Sequence, residues 1–249
     1  MKPLSNKNVV VIGGSRGLGR EIVAAVHNNG ARVLAVARQL KPLSQLSTEL
    51  PGIITLSVDA TDESAPTRVF GTLQPDVLVV CAGALPHMAS LQDQDWEEFA
   101  RNWNTDVKAS FLFCKAALSL PLSPGTTIIL ISSGAAIGGS PISGSYAGAK
   151  RMQMFIAKYC QKESDRQSLG LRFLALAPAG IMPSTSLGNT AVAGYAEYLG
   201  VPVSEFLKDI ESNQTPQDVA KALVDFATQP KIKEGNAFMV TSKSVELIP

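Results

Sequence analysis

The chain has 249 residues, 45% hydrophobic and 17% charged, with 22 Lys and Arg against 21 Asp and Glu. That apolar content excludes a disordered chain, and a net charge of +1 without a basic block excludes a polyanion-binding face of the kind nucleic acid requires. The length fits a single α/β domain or two smaller ones.

Short apolar runs alternate with amphipathic stretches along the whole chain. Val9–Ile12 reads as a first strand, Gly17–Asn29 as a helix, and Arg32–Ala37, Ile53–Val58 and Val77–Cys81 as three more strands. A long helical region over Trp96–Leu120 precedes strand Thr127–Ser132, helix Tyr146–Glu163 and strand Leu171–Ala177. Helix Pro216–Ala227 and strand Ala237–Thr241 close the series. Strands that are apolar without alternation are buried on both faces, which predicts a doubly wound parallel sheet, the Rossmann fold, of about seven strands with helices on both sides. No linker divides the chain, so 1–249 reads as one domain, with a mobile flap over 183–212.

The polar start and the shortness of the apolar runs predict neither a secretory leader nor a membrane span. Cys81, Cys114 and Cys160 are odd in number and widely spaced, which suits the reduced thiols of a cytoplasmic protein. Without CxxC spacing, and with only His27 and His87, no metal centre is expected.

The turn after the first strand reads Gly13-Gly14-Ser15-Arg16-Gly17-Leu18-Gly19. Glycines there permit a tight turn and close approach of a pyrophosphate, and the following helix aims free N–H groups and its positive dipole end at that anion. The second strand ends at Arg38 rather than at the acid that would accept from a ribose hydroxyl, so Arg16 and Arg38 together suit a 2′-phosphate and favour NADP over NAD. Asp59, followed by Ala60, ends the third strand; it suits either an acceptor for the adenine amino group or a strand-end cap. After the fourth strand, the small residues Ala82-Gly83 leave room for a cofactor against the backbone.

The fifth strand ends at Ser132-Ser133. Tyr146 follows, and Lys150 shares its helix face at i+4. Serine at a parallel strand's C-terminal end lies where open α/β sheets bind ligands. With Gly13, Gly17, Gly19, Asp59, Ala82-Gly83, Ser133, Tyr146, Lys150 and Pro178 at this joint spacing, the sequence resembles the short-chain dehydrogenase/reductase family in its compact form, from Val9 to Thr241. The resemblance implies Tyr146 as general acid and base, Lys150 lowering its pKa and holding the nicotinamide ribose, and Ser133 donating to the substrate oxygen. It places the dinucleotide among Gly13, Ser15, Arg16, Gly17, Leu18, Gly19, Arg38, Asp59, Ala60, Ala82, Gly83, Tyr146, Lys150, Pro178, Gly180 and Ile181. It also implies a homodimer or homotetramer. Helices Trp96–Leu120 and Tyr146–Glu163 would pair across a two-fold axis, a face that Met152, Met154, Phe155 and Cys160 fit as well as they fit an internal core.

The chain departs from the family at several positions. Ile12 stands where a Thr usually precedes the first glycine, and Val80-Cys81-Ala82-Gly83 where the family has Asn-Asn-Ala-Gly. Pro178-Ala179-Gly180 replaces Pro-Gly, and Pro183 aligns with the Thr expected at the nicotinamide carboxamide, with Ser184 and Thr185 adjacent. Asp106 falls where an Asn completes the catalytic tetrad. A carboxylate near Lys150 would offset its charge and raise Tyr146, or Asp106 would simply cap a helix kink.

The substrate pocket is expected from 85–91, 133–145 and 184–207, with Leu187, Val192, Tyr195, Tyr198, Leu199, Val201 and Phe206 giving the flap apolar surface unless they are core or subunit contacts. These features predict an NADPH-dependent carbonyl reductase for a moderately apolar small-molecule ketone or its alcohol. The alternatives are a 3-oxoacyl carrier-protein reductase, disfavoured by the absence of Lys and Arg in 119–127, and a noncatalytic dinucleotide sensor.

Overall fold

Successive residues of the apolar runs point to opposite faces of one sheet, and helices cover both faces. The computed structural model describes residues 1–210, 214–229 and 234–249, so the last two residues of the expected flap, 211 and 212, lie outside the described residues. The strands are β1 (Asn8–Ile12), β2 (Arg32–Ala37), β3 (Ile54–Ser57), β4 (Val77–Val80), β5 (Thr127–Ile131), β6 (Arg172–Pro178), β7 (Ala237–Val240) and β8 (Val245–Leu247). They run in the order β3-β2-β1-β4-β5-β6-β7-β8. All pairings are parallel except β7 with β8. The eighth strand adds one to the expected seven; three residues, two of them exposed, give it no apolar run to read.

The helices are α1 (Gly17–Asn28), α2 (Leu40–Glu49), α3 (Ala65–Thr72), α4 (Trp96–Asn102), α5 (Lys108–Ser119), α6 (Ala135–Gly138), α7 (Gly144–Arg166), α8 (Ser186–Leu199), α9 (Val203–Asp209) and α10 (Pro216–Thr228). On one face, Val9, Val11, Ile129 and Leu174 pack with Ile22 and Val26 of α1 and Leu223 and Phe226 of α10. On the other, Val10, Leu78, Ile128 and Phe173 pack with Phe70 of α3, Phe113 of α5 and Ile156 of α7. None of the described helices is long and apolar enough to cross a membrane.

The structure adds detail to one expectation and corrects another. The expected flap is built as two helices, α8 and α9, whose stacked Tyr195 and Phe206 rings (centroids 6.0 Å apart) join them. The expected single helix over 96–120 is interrupted by a π turn, Trp103–Val107, between α4 and α5. Its cause is polar. Asn102 and Asp106 are both buried there and both bond to Ala84: Asn102 Nδ2 donates to the Ala84 carbonyl at 2.9 Å, and the Ala84 N–H donates to Asp106 Oδ1 at 2.9 Å. The wider turn pairs the Asn102 amide nitrogen and Asp106 Oδ1, while Asn102 Oδ1 stays buried without a hydrogen-bond partner among the described residues.

Candidate functional site

The C-terminal ends of β1 to β6 converge on one cleft of about 690 Å³, at the point where strand order reverses between β1 and β4. The turn between β1 and α1 is held to β2 by Gly13 and Gly14 N–H groups, which donate to Val36 O at 2.8 and 3.0 Å. At Gly13, φ is +85° and a Cβ would stand 2.7 Å from the Ala82 nitrogen; at Gly19 a Cβ would stand 2.1 Å from the Gly13 carbonyl oxygen. No side chain caps α1 and no acid sits in its first turn. The turn is therefore a glycine cradle with uncovered donors, which fits a dinucleotide pyrophosphate.

Every residue expected at the dinucleotide lines this cleft: Gly13, Ser15, Arg16, Gly17, Leu18, Gly19, Arg38, Asp59, Ala60, Ala82, Gly83, Pro178, Gly180 and Ile181, with Tyr146 and Lys150. Arg38 stands 3.8 Å from Asp59, both half exposed, so one guanidinium already has a counter-charge in the cleft. Burial pushes the Asp59 carboxyl up, but the Thr61 N–H at 2.9 Å and its hydroxyl at 2.8 Å, with Arg38, hold it below its ordinary value. These bonds make Asp59 both a strand-end cap and a cleft residue. Burial pushes the half-open Cys81 thiol up to about 11, so it packs as a neutral group.

Ser133, Tyr146, Lys150 and Asp106 all meet in the same cleft. The Ser133 hydroxyl accepts from Ala135 N–H at 3.3 Å and also bonds Tyr146. Tyr146 and Lys150 are both less than a tenth exposed, and the Lys150 ammonium lies 5.5 Å from the Tyr146 ring centre. Lys150 Nζ donates to Ile131 O at 3.1 Å and stands 3.0 Å from Asp106 Oδ2. Asp106 is fully buried, and its Oδ1 also accepts from Asn102 Nδ2 at 3.3 Å. A Cβ on Gly83 would stand 2.7 Å from Asp106 Oδ2, so the carboxylate occupies the space a larger residue would need.

Charge sets the titration of this group. Burial pulls the Lys150 ammonium down, but the Asp106 carboxylate first, then Tyr146, push it up more, and the net direction is upward. Burial pushes the Tyr146 phenol up, Lys150 and the Ser133 hydrogen bond pull it down, Asp106 raises it again, and the net direction is upward. Asp106 is not a helix cap: its carboxylate faces Ala84 and Lys150 across the fold.

Some sequence expectations do not hold. Pro183 and Ser184 are exposed and stand outside the cleft, whereas Thr185 lines it. The Thr185 hydroxyl is already committed, accepting from Gly188 N–H at 3.0 Å and donating to Met182 O at 2.9 Å as the cap of α8. Tyr198 and Leu199 face solvent, while Leu187, Tyr195 and Phe206 do line the cleft. Met154 is buried in the core, whereas Phe155 is partly exposed and stacks on Tyr159, centroids 6.0 Å apart. Ala84 and Asn102, which hold Asp106, gave no sequence signal, because a backbone amide and a helix-end Asn carry none.

Comparison with known proteins bears on the family and the fold. The chain matches the short chain dehydrogenase family over residues 7–193. It is similar to carbonyl reductase [NADPH] 2 of Sus scrofa, 37% identical over 107 residues that span 43% of this chain and 44% of that protein. It is similar to L-xylulose reductase of Homo sapiens, 35% identical over 106 residues, 43% of each chain. Over 96% of its length it is 29% identical to glycine betaine reductase ATRR of Emericella nidulans, of which it spans 19%. The chain thus spans less than half the length of these relatives. A solved short chain dehydrogenase/reductase family protein shares the fold, with a TM-score of 0.77 at 22% identity, covering 97% of this chain and 98% of that one. With its parallel sheet and its glycine turn after β1, the chain belongs to the short chain dehydrogenase family.

Proposed function

We propose that the chain is an NADP(H)-dependent carbonyl reductase, reversible as an alcohol dehydrogenase, acting on an uncharged and moderately apolar ketone. The observation that carries this reading is the buried Tyr146–Lys150 pair beside Ser133 at the mouth of β5, inside the glycine-cradled cleft. A nicotinamide dinucleotide, when bound, supplies or takes up the hydride. The glycine turn would hold its pyrophosphate, and Arg16 and Arg38 its 2′-phosphate.

The chain's own groups handle the proton. Ser133 donates to the carbonyl oxygen and steadies the charge that grows there. Tyr146 gives its hydroxyl proton to that oxygen, and the Lys150 ammonium stabilises the phenolate left behind. Because Asp106 stands 3.0 Å from that ammonium, the phenol keeps its proton to higher pH, which favours the proton-donating direction at neutral pH.

Mixing the protein with NADPH and a panel of neutral ketones tests this reading by loss of nicotinamide absorbance. Turnover of at least one ketone is expected; tight NADPH binding with no turnover would favour a noncatalytic sensor. In the same assay, Arg38→Ala should weaken NADPH binding about tenfold or more, as expected for a charge-assisted hydrogen bond, and leave NADH binding nearly unchanged. Equal losses for both dinucleotides would remove Arg38 from phosphate recognition. We also propose assembly of like chains through the exposed aromatics Phe111 of α5 and Phe155 and Tyr159 of α7, which light scattering would detect as a dimer or tetramer.

A further inference from the structure

Among the described residues, the charged side chains lining the cleft are Arg16, Arg38 and Asp59 at the ends of β1 to β3, and the mutually neutralising Lys150 and Asp106. The end beyond Tyr146, walled by Leu85, Met88, Leu187 and Phe206, presents no charged side chain among the described residues. Its polar feature is a chain of hydroxyls that joins the turn before α7 to the helix α8. Ser143 donates twice to Ser140 Oγ, through its N–H at 3.0 Å and its hydroxyl at 2.7 Å. A serine oxygen has two acceptor sites and one proton. With both acceptor sites taken, the Ser140 proton goes to Tyr195 Oη, 2.6 Å away.

Tyr195 thus accepts, and its own proton has no partner among the described residues. The residue lines the cleft, and its ring is fixed by stacking on Phe206 at an interplanar angle of 9°. Two helices and a hydroxyl relay therefore hold a spare O–H donor in an otherwise apolar compartment. An unmet donor there favours a ligand that brings an acceptor, because leaving a polar group unpaired in an apolar pocket is costly.

We propose that Tyr195 is a specificity-determining residue that donates to a second oxygen of the substrate, so that the preferred substrates are uncharged ketones bearing another acceptor oxygen, with diketones as the simplest class. The proposal rests on Tyr146 acting as proton donor at the first carbonyl.

The test compares the parent with Tyr195→Phe on a vicinal diketone, a β-diketone and a monoketone of the same chain length, in the presence of NADPH. The parent should prefer at least one diketone by about tenfold in kcat/KM, the value of one neutral hydrogen bond. Tyr195→Phe keeps the ring on Phe206, so it should erase that preference by lowering kcat/KM for the diketone about tenfold more than for the monoketone. Ser140→Ala removes the bond that anchors Tyr195 and should lower the preference part of the way. No diketone preference in the parent, a preference that survives Tyr195→Phe, or an equal loss on all three ketones overturns the proposal. If none of the three is turned over, the Tyr146 reading fails instead. Calorimetric titration of the NADPH-loaded parent and variant with the same compounds then decides on Tyr195. Tighter diketone binding in the parent alone supports it, and equal binding refutes it.

Discussion

Tyr146→Phe is expected to lower kcat/KM for ketone reduction by about 10²- to 10⁴-fold, the range that a positioned general acid contributes. Dinucleotide affinity should change little, because the glycine cradle and the two arginines are untouched. The structure explains why no neighbour should take over. Ser133 is hydrogen-bonded to Tyr146 and to the Ala135 N–H, and the Cys81 thiol packs as a neutral group. Lys150 is held charged by Asp106, so it is a poor source of a proton. Removing one oxygen from a buried ring that otherwise packs well should leave the melting temperature near that of the parent. A variant that melts normally, binds NADPH and still reduces ketones at the parental rate would remove Tyr146 from the chemistry.

Substitutions at Asp106 should separate stability from catalysis. Asp106→Ala leaves the Lys150 ammonium buried without its counter-charge, and breaking a buried pair from one side costs about 3–5 kcal/mol. Urea unfolding would measure that loss. Asp106→Asn keeps an oxygen for the Ala84 N–H but removes the charge. Since Asp106 raises both Tyr146 and Lys150, both should then titrate lower. Reduction needs the protonated phenol and declines as pH rises through its pKa, so that decline should move to lower pH in Asp106→Asn. Alcohol oxidation needs the phenolate and rises through the same pKa, so that rise should also move to lower pH. Superimposable profiles would show that the carboxylate does not tune Tyr146. Lys150 carries the linked effect on folding. Its folded pKa lies above the unfolded value of about 10.4, so its contribution is complete below that value and fades as pH rises through the folded pKa. The stability gap between the parent and Asp106→Asn should accordingly narrow in alkaline urea titrations.

The strands were legible because residues such as Val9 and Val10 are buried on opposite faces, leaving runs with no polar interruption. Helices α2 and α8 were not, since α2 buries only Leu43 and Leu46, and glycines 188 and 194 dilute the apolar pattern of α8. The Ser133, Tyr146 and Lys150 set could be read because it depends on local spacing along β5 and α7. Asp106 could be placed near Lys150 by register, but its direct pairing depends on a π turn that no periodicity announces. The Arg38–Asp59 pair and the Ser140–Tyr195 bond join separate elements, so only the packed fold reveals them.

The π turn has a genetic consequence. Each residue in a regular helix advances the side-chain direction by about 100°, and a π turn behaves as one residue inserted into that winding. Its flanks are independently anchored, α4 by the Asp95–Glu98 capping box and α5 by the buried Phe113. A one-codon deletion between positions 103 and 107 could therefore be absorbed as ordinary helix, without dismantling either flank. The cost would fall on register. Asp106 would swing away from Ala84 and Lys150, and the loss would surface in the proton chemistry before it surfaced in the fold.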